Sequence, residues 1–130
     1  MILDTTFIID LMEKEDGAVK KLHELIKLGE PQLTTTLTIF ELFSGMTRSN
    51  RPLEEKNKVL EVLKGQLVVE LNNEAAEKAG EIDGTLIKEG KMIGPIDSMI
   101  AGIALVKREK VLTRNIKDFS RIRDLQIETY

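Results

Sequence analysis

Short apolar segments alternate along the chain with longer segments in which apolar residues recur every three or four positions. The short segments are rich in Val, Ile, Leu or Thr, a composition that favours buried β-strands. We predict strands within MILDT (1–5), PQLTTT (31–36), QLVVEL (66–71), KVLT (110–113) and LQIET (125–129).

The longer segments have the spacing of amphipathic helices. In LTIFELFSGMTR, Ile39, Leu42, Phe43 and Met46 fall on one helical face, and Pro52 suits the first position of the next helix. We predict helices within FIIDLMEK (7–14), GAVKKLHELIKLG (17–29), LTIFELFSGMTR (37–48), PLEEKNKVLEVLKG (52–65), NEAAEKAGEIDGTLIKEG (73–90) and GPIDSMIAGIALV (94–106), with a helical turn in KDFSRI (117–122).

Strands that alternate with helices predict an α/β fold in three layers, α/β/α, around a central parallel sheet of about five short strands. We expect residues 1–130 to form one domain, because a chain of this length can bury a real core. In open parallel sheets, ligand sites form at the carboxyl ends of the strands. Polar residues that follow the strands are therefore the first candidates for chemistry.

Composition narrows the class of protein. The chain has no cysteine, which excludes disulfides and thiolate metal sites and suits a reducing cytoplasm. No apolar run approaches the ~20 residues that cross a membrane, and the N-terminal residues do not resemble a signal peptide, so we expect a cytoplasmic protein without a membrane anchor. With a net charge of −3, any binding to nucleic acid depends on local basic patches.

One acid stands at the start of the most apolar predicted helix. In GPIDSMIAGIALV, every residue after Asp97 is apolar or small. Pro95 fits the first helical position, so Asp97 lies in the first turn, where the helix dipole favours a negative charge. A helix that is apolar nearly all round should be buried, however, and burial makes an unpaired carboxylate costly. Asp97 is thus either a charge that complements the helix dipole or one of several acids in a site.

Four further polar residues are candidates for the same site. Asp4 ends the first strand, where it is either a site residue or a helix cap. Glu41 points away from the apolar face of its helix, so it is either a solvated side chain or part of the wall of an open cleft. Asn115 and Asp118 follow the fourth strand, where a turn former and a cap are the simpler interpretations.

Carboxylates gathered at one edge repel one another unless a cation or a proton lies between them. A set of oxygen ligands without thiols suits Mg²⁺ or Mn²⁺ rather than Zn²⁺. The lone histidine, His23, falls in a Lys-rich helix and is expected at the surface.

The order and context of these acids resemble those of PIN-domain ribonucleases, specifically the VapC-type toxins of VapBC toxin–antitoxin pairs. ILDTTFIID resembles the opening strand and helix of the family, with its acid at Asp4. TTTLTIFELFSGM resembles the second motif, with Glu41 followed by Gly45, and EGKMIGPIDSMIAGIAL resembles the third, with Asp97. VLTRNIKDFSRI resembles the closing motif, so the resemblance covers essentially the whole chain.

The resemblance implies that Asp4, Glu41 and Asp97 hold one or two Mg²⁺ ions, for which Mn²⁺ can substitute. In two positions the chain departs from the family. Thr6 stands where members often have Asn, and Asn115 stands where the fourth acid is commonly Asp. Either Asn115, through its amide oxygen, or Asp118 then completes the set of metal-binding and catalytic residues.

The implied activity is metal-dependent hydrolysis of RNA phosphodiester bonds, which leaves a 5′-phosphate and a 3′-hydroxyl. The implied partners are an RNA substrate, a cognate VapB-like antitoxin and a second copy of the chain. The alternative is a non-catalytic PIN module that binds RNA or a protein. A phosphatase that forms an aspartyl phosphate would need a second acid two residues after Asp4, where this chain has Thr6.

Two other acids and several basic residues complete the inventory. Asp10 falls in mid-helix and is expected on an exposed face, whereas Asp83 falls beside inward-facing apolar residues and has no role beyond a cleft or interface contact. The candidate phosphate contacts, each of which is also explained as solvated surface charge, are Arg48, Arg51, Lys91, Arg114, Lys117 and Arg121.

Overall fold

A five-stranded parallel sheet forms the centre of the computed structural model, which describes residues 1–130. Its strands run in the order β3-β2-β1-β4-β5, and every neighbouring pair is parallel. The predicted sheet is confirmed. Its strands are β1 (Ile2–Leu3), β2 (Leu33–Thr35), β3 (Leu67–Val69), β4 (Val111–Leu112) and β5 (Ile127–Glu128).

The predicted helices are confirmed as well. The first one begins at Thr5, directly after β1 and two residues before the predicted segment, so Asp4 is the only residue between them. None of the helices is long and apolar enough to span a membrane. Their bounds are α1 (Thr5–Met12), α2 (Asp16–Lys27), α3 (Thr36–Arg48), α4 (Pro52–Leu63), α5 (Asn73–Lys88), α6 (Pro95–Lys107) and α7 (Ile116–Phe119).

The two faces of the sheet bury separate apolar cores. Successive side chains of a strand point to opposite faces. Ile2 and Val111 accordingly pack into a core with α5, α6 and α7, whereas Leu3 and Leu112 pack into a core with α1, α2, α3 and α4. Helices therefore cover both faces, which confirms the three-layer α/β/α arrangement.

The direction of chain progression across the sheet reverses at β1. From β1 the chain proceeds to β2 and β3 on one side, and it later adds β4 and β5 on the other side. Crevices form outside the carboxyl ends of the strands at such a reversal. Asp4 follows β1 and Thr113 follows β4, so both residues stand at this crevice.

Close packing of α5 against α6 explains the small residues of α6. A Cβ atom on Gly102 would lie 2.6 Å from the backbone oxygen of Ala75 and 2.9 Å from the Cβ of Ala79. Real Cβ atoms are not found this close to other heavy atoms. Only glycine therefore allows the observed approach of the two helices, which buries six of the 13 residues of α6 and fixes its position in the core.

We expect Gly102→Ala to lower the free energy of unfolding by about 1–3 kcal/mol, because the added methyl group forces α5 and α6 apart. The matched control is Gly80→Ala, at an exposed position of α5 where a Cβ has open space. That variant should be more stable than the wild type by about 0.5–1 kcal/mol. Urea denaturation measures both, and equal stability of Gly102→Ala and the wild type would contradict the prediction.

Candidate active site

Asp4 lies between β1 and α1, and its residue is only 2% exposed. Asp4 occupies the N-cap position of α1, but its side chain makes no capping hydrogen bond to the helix. Instead, Oδ2 accepts hydrogen bonds from Thr113 Oγ1 at 2.7 Å and from Thr6 Oγ1 at 2.9 Å. Both bonds go to one oxygen atom, which leaves Oδ1 able to accept from another group.

Glu41 reaches the same edge of the sheet from α3, a helix whose first turn is capped by the Thr35 side chain. The hydroxyl of Thr5 donates to Glu41 Oε1 at 2.6 Å. Glu41 is half-buried, and its pKa is raised by this burial and by the charge of Asp4, although the Thr5 hydrogen bond opposes the shift. Glu41 is therefore partly withdrawn from solvent and held by a neighbouring hydroxyl.

The amide of Asn115 joins the two remaining acids. Its Nδ2 donates to Asp97 Oδ2 at 3.2 Å and to Asp118 Oδ2 at 3.1 Å. An amide nitrogen carries two N–H donors, and both of its neighbours here are carboxylates, so this orientation of the amide follows from the hydrogen-bond network. Asn115 thus serves as a donor that holds Asp97 and Asp118 together.

The four carboxylates have no basic partner. No Lys, Arg or His forms a salt bridge with Asp4, Glu41, Asp97 or Asp118, and every hydrogen bond to them comes from a hydroxyl or an amide. The consequence is clearest at Asp97. Its pKa is raised to about 7 by burial and by the negative charges of Asp4, Glu41 and Asp118, an effect that the Asn115 hydrogen bond only partly offsets.

The chemistry of this set fits a hard divalent cation. The available donors are carboxylate and hydroxyl oxygens, the chain lacks cysteine, and His23 is exposed on α2. No three acidic side chains lie close enough together to form a ready-made ligand set. Mg²⁺ keeps several water molecules and binds through few carboxylates, so a hydrated ion fits this arrangement better than a fully enclosed one.

The burial of Asp10 differs from what the sequence predicts. It was expected on an exposed face of its helix, but it is buried at 9% exposure. Its Oδ2 accepts a hydrogen bond from Tyr130 Oη at 2.6 Å and forms a salt bridge with Arg114 Nε at 3.2 Å. Pairing with a distant tyrosine and an arginine does not follow from the helical period, which is why the pattern failed here.

The other predicted residues divide into those near the site and those with separate tasks. His23 is exposed, as expected, and Asp83 is partly exposed and hydrogen-bonds to none of the four acids. Arg121 Nη1 donates to the backbone oxygens of Lys91 and Met92, so it holds a loop. Among the remaining basic candidates, Arg51 pairs with Glu54 on the surface, whereas Arg48 and Lys117 are exposed.

Sequence reasoning missed the threonines that hold the acids. Thr5 binds Glu41, and Thr113 donates to Asp4 while its Oγ1 accepts from the backbone N–H of Asn115 at 2.9 Å. Thr6 departs from the family pattern, yet its hydroxyl supplies a donor to Asp4. The positions of these residues could have indicated their role, because all three threonines lie at or just after the ends of central strands.

A family model for the PIN domain matches residues 1–125. The chain belongs to the PIN domain family. It is 34% identical over 100 residues to the tRNA(fMet)-specific endonuclease VapC of Salmonella typhimurium, a match that covers 74% of this chain and 73% of the relative. It is 29% identical over 134 residues to the protein of the same name from Shigella flexneri, with 99% and 96% of the two chains covered.

Solved structures agree with these relatives. The crystal structure of DNA-bound VapBC from Salmonella typhimurium superposes with a TM-score of 0.87 at 29% identity, over 98% of this chain and 96% of that one. The resemblance to VapC proteins and the predicted PIN fold are therefore confirmed.

The raised pKa of Asp97 predicts how the stability of this PIN domain depends on pH when EDTA is present. Its pKa rises from the ordinary value of 3.8 to about 7 on folding, so the folded state binds this proton more tightly. The resulting stabilisation is complete below pH 3.8 and is lost as the pH rises through 7. Asp97→Asn should therefore gain stability relative to the wild type over this range, as measured by urea denaturation at several pH values. A difference that does not change with pH would contradict the raised pKa.

Proposed function

We propose that the chain is a metal-dependent endoribonuclease that hydrolyses RNA phosphodiester bonds and acts as the toxin of a toxin–antitoxin pair. The observation that carries the proposal is the set of four carboxylates held by neutral donors without any basic partner. A cation bound between such carboxylates stabilises them, and the substrate of a nuclease brings further negative charge. The relatives named VapC endonucleases support the same reading. No observation favours the alternative of a non-catalytic binding module.

We propose Mg²⁺ as the cofactor, with Mn²⁺ as a substitute. Asp4, Glu41 and Asp97 would hold it directly or through water, and Asp118 would add the fourth charge. A bound divalent cation supplies a lowered pKa for an attacking water and neutralises charge that develops on phosphate oxygens. Metal binding requires ionised carboxylates, so the raised pKa of Asp97 predicts that binding tightens as the pH rises to about 7 and levels off above it.

The side chains of this site would act mainly by holding the acids in place. Thr6 and Thr113 fix one oxygen of Asp4 and leave the other oxygen without a hydrogen bond to them. Thr5 fixes Glu41 at the facing wall, and Asn115 keeps Asp97 beside Asp118. Preorganised charges need little rearrangement when the substrate arrives, which is the usual source of electrostatic catalysis.

An antitoxin is the proposed protein partner, since the structure of the Salmonella relative is of a VapBC complex. A groove between α1, α2 and α4 supports this proposal, because an amphipathic segment could lay its apolar face there. Apolar side chains that line this groove are Leu11, Met12, Val19, Leu22, Ile26 and Val62. We also propose a homodimer, which the exposed side chains of Phe40 (63%) on α3 and Leu53 (79%) on α4 support.

The purified chain should cleave a mixed RNA substrate in Mg²⁺ or Mn²⁺ and should not cleave it in EDTA. Asp97→Asn should lower the rate by more than about 100-fold, because loss of a charged ligand costs more than loss of an outer partner. Gel electrophoresis of the RNA measures cleavage, and a thermal melt verifies that the variant is folded. Cleavage in EDTA, or wild-type rates in folded Asp97→Asn, would contradict the proposed function.

Asp118 and Asn115 should differ in importance. Asp118→Asn removes a charge but can still accept the hydrogen bond from Asn115, whereas Asn115→Ala removes donors and keeps every charge. Because Asn115 presents nitrogen to the acids, we expect Asp118→Asn to slow cleavage more than Asn115→Ala, by about tenfold or more. Steady-state cleavage rates of the two variants decide this. The reverse order would mean that Asn115 turns its amide oxygen to the metal.

A further inference from the structure

A buried carboxylate outside the acidic cluster binds two donors through one oxygen. Asp10 on α1 is 9% exposed, and its Oδ2 accepts a hydrogen bond from Tyr130 Oη at 2.6 Å and pairs with Arg114 Nε at 3.2 Å. A buried charge is tolerated when it is paired and hydrogen-bonded. Asp10 is satisfied in this way, in contrast to the four site acids, so it has no need of a metal ion.

Tyr130 is held by packing as well as by this hydrogen bond. Its ring meets the fully buried ring of Phe7 edge-to-face, with the ring centroids 4.8 Å apart. Burial and the adjacent carboxylate of Asp10 raise the pKa of Tyr130, so the hydroxyl stays protonated and keeps donating. Tyr130 thus fixes one lone pair of Asp10 and orients the carboxylate towards Arg114.

Arg114 is tied to the acidic cluster through its backbone. It follows Thr113, which donates to Asp4, and its own N–H donates to Thr6 Oγ1 at 3.2 Å. The Thr6 hydroxyl in turn donates to Asp4 Oδ2. One threonine therefore connects the backbone of Arg114 to the carboxylate at the centre of the site.

The guanidinium of Arg114 keeps most of its donors free. Only Nε is engaged, by Asp10, and the side chain is 63% exposed. Its two terminal nitrogens can therefore present a fork of N–H donors to a phosphate. By comparison, Arg121 donates a hydrogen bond to the backbone of a loop, and Arg51 forms a salt bridge with Glu54.

We propose that Asp10 and Tyr130 are positioning residues that hold Arg114 at the rim of the acidic cluster, where its guanidinium binds a backbone phosphate of the RNA. The inference rests on the proposed function and adds to it a named contact for the substrate. Four carboxylates repel a polyanion, so a fixed positive charge at their edge lowers the barrier to its approach.

RNA binding tests the contact separately from cleavage. Fluorescein-labelled single-stranded RNA is titrated with Asp97→Asn protein in EDTA, and anisotropy is followed at several salt concentrations. Adding Arg114→Ala should weaken binding about tenfold, the worth of a charge-assisted hydrogen bond. It should also reduce the slope of log K against log salt by about 0.7, as expected for one phosphate of a single strand. Arg114→Lys should recover the slope but not the full affinity.

The matched control is Arg108→Ala, which removes an exposed arginine at the far end of α6. It should leave affinity and slope unchanged. In the active protein, Arg114→Ala should raise KM more than it lowers kcat. If the wild-type protein cleaves RNA and Arg114→Ala changes neither RNA binding nor KM, the inference is overturned and the proposed function stays intact. A wild-type protein that does not cleave RNA in Mg²⁺ would instead overturn the proposed function, while the salt slopes still decide the contact.

Tyr130→Phe tests the positioning role, because it removes the hydroxyl and keeps the ring on Phe7. It should weaken RNA binding two- to threefold when Arg114 is present, about the worth of a modest hydrogen bond. In the Arg114→Ala background it should have no further effect on binding, since nothing remains to be positioned. Equal effects of Tyr130→Phe in both backgrounds would overturn the role of Tyr130. Thermal melts account separately for any change in stability.

Discussion

Like charges that are buried together repel strongly unless something neutralises them. Burial raises the pKa of Asp97, and the charges of Asp4, Glu41 and Asp118 at the same edge of the sheet raise it further. The fold holds them there with hydroxyl and amide donors, which stabilise the position of a carboxylate without cancelling its charge. The remaining negative potential is the property on which the proposed chemistry depends, since it attracts a divalent cation and repels an unaccompanied phosphate.

Holding repelling charges in place requires a rigid support, and the two cores provide it. Asp4 follows a strand whose residues are fully buried. Asp97 lies in the first turn of α6, and α6 packs closely against α5 at Gly102. A close-packed interior resists small displacements. The acids therefore cannot relieve their repulsion by moving apart, and this repulsion adds to burial, the larger cause, in raising the pKa of Asp97. The apolar residues of α6 bury the helix, and the buried helix holds the charged side chain of Asp97 in a fixed position at its start.

The sequence predicted the fold nearly completely because strand and helix periods are local properties. Five strands, their alternation with helices and the acids at the sheet edge all followed from spacing and from the family resemblance. The hydrogen-bond partners did not follow, because Thr113 meets Asp4 across 109 positions of the chain. For the same reason the helical period of α1 predicts an exposed Asp10. It cannot reveal that Tyr130 and Arg114, which lie more than 100 positions further along the chain, pack against this residue.

Asp4 and Asp10 illustrate how charge pairing separates two kinds of buried acid. Asp4 precedes the first residue of α1, and Asp10 lies six positions later within the same helix. Each accepts a hydrogen bond from a hydroxyl at less than 3 Å. Asp10 also has a guanidinium beside it, so its charge has a basic partner within the protein. Asp4 has only neutral donors and no cationic partner within the protein. Burial alone does not distinguish a site residue from a positioning residue, whereas the presence of a basic partner does.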